Sequence, residues 1–89
     1  MPSRSVTIVN KLGLHARAAA RFVQEATAFD CAINVRHAGK EVNGKSIMGV
    51  MMLAAAQGMT IDLIANGNDA EKALDALESL IQDRFGEDL

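Results

Sequence analysis

Residues 4–23 read RSVTIVNKLGLHARAAARFV and pass from strand-like to helix-like sequence within a few positions. Apolar Val6 and Ile8 alternate with polar residues, the pattern of a strand with one buried face. The alanine-rich segment 16–27 places apolar side chains on one face at helical spacing, which predicts an amphipathic helix. Gly13 lies between the two, where a residue without Cβ is free to adopt an unusual backbone conformation.

His15 stands where the predicted strand gives way to the predicted helix, with Arg17 two residues later. The first turn of a helix has backbone N–H groups without intrahelical acceptors and carries partial positive charge, so a phosphoryl group is favoured there. Histidine has a neutral, nucleophilic form near neutral pH, and the small Ala16 leaves its ring accessible. The pattern predicts a phosphate-carrying site; a packed or capping histidine is the alternative. His37 lies near a turn, where we expect it to be solvated.

The composition is that of a small globular protein. Its 89 residues are 49% apolar and 22% charged, and a net charge of −2 gives no reason to expect nucleic acid as a partner. This length predicts one domain, residues 1–89. Cys31 has no disulfide partner and should pack at the start of a strand, and no metal-type Cys/His spacing exists. Without a signal-like or membrane-spanning stretch, we expect a cytoplasmic protein that does not insert into membranes.

The hydrophobic periodicity predicts strands and helices in the order β-α-β-β-α-β-α. Ser46 is suited to cap the second helix, and Asn68 with Glu71 has capping-box spacing at the third. Strands with one apolar face and helices with one apolar stripe favour an α+β fold, with the sheet covered on one side. The predicted strands are 4–9, 32–36, 40–42 and 60–65, and the helices are 16–27, a short one from 47, and 69–85 with Phe85 inward.

Two segments are similar to the motifs of one known family. Residues 13–17, Gly-Leu-His-Ala-Arg, resemble the active-site segment of the histidine-containing phosphocarrier (HPr) family of the bacterial phosphoenolpyruvate-dependent phosphotransferase system. Residues 43–51, Asn-Gly-Lys-Ser-Ile-Met-Gly-Val-Met, resemble its regulatory-serine segment. The resemblance covers residues 3–85. It implies an open-faced β-sandwich, a four-stranded antiparallel sheet covered on one face by three helices.

The resemblance also implies a function. His15 would accept a phosphoryl group on Nδ1 from phosphorylated enzyme I and pass it to an enzyme IIA domain, in sugar uptake or its regulation. Arg17 would stabilise the phosphate charge, and the amides of Ala16 and Arg17 would bind its oxygens. Such a protein is a monomeric carrier with a transient phosphohistidine rather than an enzyme, and it needs no cofactor.

Two positions within the motifs have further implications. Most relatives have proline where this chain has Ala18, which restores an N–H and a good helix former but loses rigidity in the first turn. We expect a working site in which the geometry of Arg17 is the part affected. Ser46 is a favoured helix N-cap in its own right, and the resemblance adds regulatory phosphorylation by an HPr kinase/phosphorylase.

A docking surface is predicted beside His15. Periodicity in the second helix directs Val50, Leu53 and Ala54 inward and leaves its other large apolar side chains exposed. Adaptable methionines rimmed by cations suit a surface that meets several partners with acidic rims. The residues predicted to form this docking surface are Ala20, Arg21, Gln24, Ile47, Met48, Met51 and Met52.

Three other interpretations compete with a carrier for sugar uptake. The RNA-recognition fold shares the βαββαβ order, but it needs exposed aromatic residues on its strands, and the phenylalanines here lie at helical positions or beside a helix end. A small acylphosphatase-like hydrolase also binds phosphate with an arginine. A carrier of the nitrogen-related regulatory branch stays inside the family, and the tail at residues 85–88, Phe-Gly-Glu-Asp, resembles that branch.

Overall fold

A computed structural model describes residues 2–88 and has the predicted order of elements. The strands pair antiparallel throughout and form one sheet in the order β1-β4-β2-β3. With the helices, they make the α+β architecture expected from the periodicity. The strands are β1 (Ser3–Thr7), β2 (Ala32–His37), β3 (Lys40–Asn43) and β4 (Thr60–Asn66); the helices are α1 (Ala16–Ala26), α2 (Ile47–Met52) and α3 (Ala70–Gln82), with a 3-10 turn at Arg84–Gly86.

The two faces of the sheet differ as the alternation predicts. On β4, Ile61, Leu63 and Ala65 are buried and join the helices in one core. The opposite face is polar, and there the Ser5 hydroxyl donates to the Asp62 carboxylate at 2.6 Å across β1 and β4. The three phenylalanines lie outside the strands, two of them buried and one half-buried, so the open face lacks the aromatic platform of an RNA-recognition sheet.

The apolar stripes of α1 and α2 explain most of their packing. Phe22 is fully buried in α1, and Val50 and Leu53 are buried in and just after α2, as predicted. The prediction for Ala54 is wrong, because α2 ends at Met52 and Ala54 takes a left-handed conformation with φ of 52° and an exposed side chain.

Helix α3 begins and ends differently from the prediction. It stops at Gln82 because Arg84 and Phe85 have φ of 57° and 55°, yet Phe85 is 1% exposed and reaches the core from a turn. The predicted Asn68–Glu71 capping box is wrong, since Asp69 occupies the N-cap position without capping its own helix. The Asp69 carboxylate instead accepts from the backbone N–H groups of Asp30 at 2.9 Å and Cys31 at 3.0 Å.

Arg4 joins the edge strand β1 to helix α3. Its guanidinium contacts the carboxylates of Asp75 at 2.5 Å, Glu78 at 3.0 Å and Glu71 at 3.2 Å. Glu71 therefore faces β1 rather than its own helix N-terminus. These pairs add to the apolar contacts that hold α3 over the sheet.

Cys31 and His37 lie at the two ends of β2. Cys31 is buried beside its start, as predicted, and burial raises the pKa of its thiol, with a hydrogen bond to Asp69 acting in the same direction. His37 was expected to be solvated, but it is half-buried and its Nδ1 donates to the Thr60 carbonyl at 3.1 Å. Its ring is therefore oriented by β4.

Candidate functional site

His15 is the N-cap residue of α1. Its backbone is extended, with φ of −73° and ψ of 177°, and its ring makes no capping hydrogen bond to the helix. The first helical bond runs from the Ala19 N–H to the His15 carbonyl at 2.8 Å. The amides of Ala16, Arg17 and Ala18 precede this first intrahelical donor and have no acceptor within the helix, so they make the helix start favourable for an anion.

The loop before His15 is attached to the segment after α2. The Leu14 N–H donates to the Ala55 carbonyl at 3.0 Å, and Leu14 itself is buried. Gly13 has φ of +67°, and a Cβ built there would lie 2.5 Å from the same carbonyl oxygen. Only glycine fits this left-handed, close approach, so Gly13 fixes how the loop delivers His15 to the helix.

The His15 ring lies in an open cleft of about 740 Å³ whose lining includes Lys11, Arg17, Arg21 and Glu87. Arg17 is exposed, and the His15 side chain is 28% exposed. The cleft thus places three cations, two carboxylates (Glu87 and Asp88) and a partly exposed imidazole around a helix N-terminus. Helix amides and cations are groups that bind phosphoryl oxygens. His15, Ala16 and Arg17 thus come together as the sequence predicted.

Glu87 is a site residue that the sequence reasoning missed. One carboxylate oxygen contacts His15 Nε2, and the other accepts from Asn10 Nδ2 at 3.0 Å. Asn10 is fully buried and also donates to the Gly13 carbonyl at 2.9 Å. Desolvation opposes ionisation of Glu87, but the hydrogen bonds from Asn10 and His15 and the charge of Arg21 outweigh it, and the pKa of the carboxyl is lowered.

Arg21 holds the C-terminal turn against α1. Its guanidinium donates to the Phe85 carbonyl, and it is half-buried rather than extended on the surface. The turn that begins at Arg84 thereby brings Glu87 back over the start of the helix. No feature of the local sequence around Glu87 points to this arrangement; the only signal was the apolar Phe85 at the end of a helical pattern.

Ser46 is the N-cap residue of α2, as predicted. Its Oγ accepts from the Gly49 N–H at 3.1 Å, and its side chain is half-buried. In the part of the chain that the structure describes, no group of three His, Cys, Asp or Glu side chains is arranged to hold a metal ion. None of the helices within residues 2–88 is long and apolar enough to cross a membrane.

Comparison with known proteins identifies the family. The model of the PTS HPr component phosphorylation site matches residues 2–83. The chain belongs to the PTS HPr family. A phosphocarrier protein HPr from Cupriavidus necator is 52% identical over 87 residues, covering 98% of both chains, and one from Pseudomonas putida is 53% identical over 88 residues at the same coverage. The chain is therefore a phosphocarrier protein of the phosphotransferase system, which disfavours both the hydrolase and the RNA-binding interpretation.

Two solved structures and a further relative extend this comparison. A crystal structure of HPr from Thermoanaerobacter tengcongensis superposes with a TM-score of 0.95 at 49% identity and covers 100% of both chains. An HPr dimer from the same organism superposes at 0.78, also at 49% identity, covering 98% of this chain and 100% of that one. A phosphocarrier protein NPr from Shewanella violacea is 44% identical over 84 residues, covering 94% of this chain and 92% of that protein. This identity is lower than the 52% and 53% to the two HPr relatives, so the nitrogen branch is not favoured.

The predicted docking surface of this HPr-family chain spans two helices that pack together, α1 and α2. Its large apolar members are exposed: Ile47 by 43%, Met48 by 71%, Met51 by 38% and Met52 by 62%. On α1, Ala20 and Gln24 are exposed, and Arg21 faces the C-terminal turn. Leu12, beside His15, is 68% exposed and extends the apolar area toward the cleft. The sequence did not single out Leu12.

Ala18 lies on the core side of the first turn of α1. It is fully buried, whereas its neighbour Arg17 is exposed. The alanine that stands where the family resemblance implies proline therefore packs in the core and is not part of the exposed surface beside His15. Arg17 lines the cleft in this chain, which has alanine at position 18.

Proposed function

We propose that His15 is the residue on which this phosphocarrier accepts a phosphoryl group and from which it passes the group on. The observation that supports this most is the position of its ring, at the N-terminus of α1 in a cleft lined by Lys11 and Arg17. Helix amides and fixed cations stabilise the charge of a phosphoryl group. A histidine held at such a point can accept the group and present it to a second protein.

Phosphorylated enzyme I is the proposed donor and an enzyme IIA domain the proposed acceptor. The lone pair of His15 Nδ1 attacks phosphorus while the bond to the enzyme I residue breaks. In the second transfer, a nucleophile of enzyme IIA attacks phosphorus while the bond to His15 Nδ1 breaks. Positioning and charge neutralisation supply most of the catalysis in such transfers. The Arg17 side chain and the amides of Ala16 and Arg17 contribute both positioning and charge neutralisation. The phosphohistidine is a transient state of a carrier that has no turnover without its partners.

Both partners dock, in this proposal, on the surface beside His15. The exposed side chains of α2 can adapt to different partners, because methionine is flexible and polarisable. The cations Arg17 and Arg21 favour acidic partner rims and would speed encounter through electrostatic steering. The proposed contacts are Ala20, Arg21, Gln24, Ile47, Met48, Met51 and Met52.

Ser46 is proposed as a regulatory phosphorylation site for an HPr kinase/phosphorylase. It begins α2, whose exposed residues belong to the docking surface, so a phosphate there adds close to two negative charges where acidic partners approach. The hydroxyl already accepts a helix N–H, and a phosphate at a helix N-terminus is electrostatically tolerated. Phosphorylation would weaken docking without unfolding the helix.

We also propose that the 89 residues act as one domain and as a monomer in the cytoplasm, serving sugar uptake. The groups that line the cleft come from within one chain, so a second copy is not needed to complete it. Size-exclusion chromatography with light scattering measures the oligomeric state directly. A stable dimer at micromolar concentration would contradict the monomer.

Incubation with phosphoenolpyruvate and enzyme I tests the acceptor. Intact-mass spectrometry should detect one acid-labile phosphate on the wild-type chain. The label should disappear in His15→Ala and persist in the matched variant His37→Ala, whose ring is bound to β4. Labelling of His15→Ala would contradict the proposed acceptor.

A further inference from the structure

We infer that Glu87 is a positioning residue that selects the reactive tautomer of His15. This inference rests on the proposed role of His15. It starts from the contact between the Glu87 carboxylate and His15 Nε2, in which Glu87 is 13% and His15 28% exposed. An ionised carboxylate only accepts hydrogen bonds, so Nε2 must carry the proton. In the neutral ring, the lone pair then lies on Nδ1.

The Glu87 carboxylate is itself oriented by a buried amide. Asn10 Nδ2 donates to Oε1 of Glu87 at 3.0 Å and to the Gly13 carbonyl at 2.9 Å, and Asn10 is fully buried. The other oxygen, Oε2, is left for the histidine. A histidine whose second nitrogen is bound by an oriented carboxylate has a fixed ring direction and a fixed tautomer.

The contact between Glu87 and His15 Nε2 favours both the acceptance and the release of the phosphoryl group. When Nδ1 attacks, the N–P bond forms, the bond to the leaving group breaks, and the proton stays on Nε2. The ring thereby becomes a cationic phosphoimidazolium, and the Glu87 carboxylate neutralises its new charge. The same protonated ring is a good leaving group when the phosphoryl group moves on, and it returns to the neutral Nε2–H form.

Two substitutions at Glu87 should reduce the Nε2–H form of His15 to different extents. Glu87→Ala removes the acceptor, and the ring should populate both neutral tautomers. In Glu87→Gln, the amide oxygen should accept from Asn10 and turn its NH2 toward Nε2, which favours the Nδ1–H form. Asp88→Asn removes an equal charge one residue away and should leave the Nε2–H form unchanged.

Nitrogen-15 NMR of the histidine rings measures this directly, with His37 as an internal reference. Phosphorylation by phosphoenolpyruvate and enzyme I should be slower by about tenfold or more in both Glu87 variants, the scale seen when a carboxylate that orients a functional histidine is lost. Circular dichroism melting establishes that each variant is folded.

An unchanged ring spectrum in both Glu87 variants overturns the inference, as does a changed spectrum with a wild-type rate or an equal change in Asp88→Asn. The ring spectrum does not depend on phosphorylation. If the wild-type chain is not labelled on His15, the proposed function fails, and the spectrum still tests the Glu87 contact separately.

Discussion

The backbone N–H of Leu14 donates to the Ala55 carbonyl at 3.0 Å, which ties the residue before His15 to the chain that leaves α2. The His15 loop is thus joined to the segment that follows the second helix. Gly13 permits the contact because its left-handed backbone has no Cβ to collide with Ala55. The direction of the acceptor ring depends on this approach between two segments that are distant in sequence.

Gly13→Ala should therefore weaken both stability and transfer. An alanine in the left-handed region costs about 1–2 kcal/mol, and the clash with Ala55 adds to it. Gly39→Ala is the matched control, since Gly39 has φ of +81° with nothing within 4 Å of a built Cβ. Urea unfolding of both variants should give the larger loss at Gly13, and only Gly13→Ala should slow phosphorylation. Equal losses would mean that the loop relaxes without affecting His15.

Arg17→Ala should slow phosphoryl transfer by about ten- to hundredfold, because charge-assisted contacts to a transferring phosphoryl group are worth a few kcal/mol at most. Arg17 is exposed, so the melting temperature should stay close to that of the wild type. Arg36→Ala removes an exposed arginine from the open face of the sheet and serves as the control. The rate of phosphorylation by enzyme I is measured by quenching the reaction at timed intervals. A wild-type rate in Arg17→Ala would show that the helix amides suffice.

Periodicity located β1, β2, β4 and the three helices because each of these elements has buried residues on one face. The predicted β3 is also present, although none of its residues is fully buried. Periodicity extended α3 to Phe85 for a physical reason: a buried phenylalanine at helical spacing fits a helix as well as the turn that actually holds it. The contacts of Glu87 with Asn10 and His15 were not predicted because they are tertiary. Glu87 lies 77 residues from Asn10 and 72 residues from His15 along the chain. Asn10 and Glu87 do not belong to an apolar pattern. The proposed acceptor could be singled out from the sequence, whereas the residues that orient its ring could not.

Ala18→Pro should keep transfer within about tenfold of the wild-type rate, since proline is tolerated in the first turn of a helix. The Ala18 N–H precedes the first intrahelical donor, the Ala19 N–H, so proline at position 18 removes no helical hydrogen bond. Ala19→Pro is the control, because the Ala19 N–H donates to the His15 carbonyl at 2.8 Å and its loss should destabilise the protein by about 3 kcal/mol. A collapse of transfer in folded Ala18→Pro would mean that the Ala18 N–H binds the phosphoryl group.

Ser46→Asp should slow phosphorylation by enzyme I while preserving the melting temperature, because aspartate also caps helices and its charge repels acidic partners. The defect should shrink as salt rises, since the Debye length falls from about 10 Å at 0.1 M to about 3 Å at 1 M. Ser46→Ala, the neutral control, should lose about 1 kcal/mol of stability with normal transfer. Normal transfer by Ser46→Asp at low salt would leave Ser46 as a cap alone.

Asp69→Asn should reduce the pH dependence of stability. The hydrogen bond from the Asp30 N–H is the largest cause that lowers the pKa of the Asp69 carboxyl, and contacts with Cys31 act in the same direction. Because the folded-state pKa is depressed, this stabilisation is complete above the ordinary carboxyl range and is lost as pH falls through the folded value. Urea unfolding from neutral to acidic pH measures the slope. The exposed Asp83→Asn should keep the wild-type slope, and an unchanged slope in Asp69→Asn would contradict the assignment.

The pairing of β1 with β4 has a consequence for how the chain acquires its structure. Within residues 2–88, β1 pairs with β4 alone, and 57 residues separate the paired Ser5 and Asp62. During synthesis, β1 has no strand to pair with until β4 emerges from the ribosome. Closing so long a loop slows folding, because its entropy must be lost before the pairing stabilises anything. We expect nascent chains that end before residue 60 to be protease-sensitive and full-length chains to become resistant in one late step.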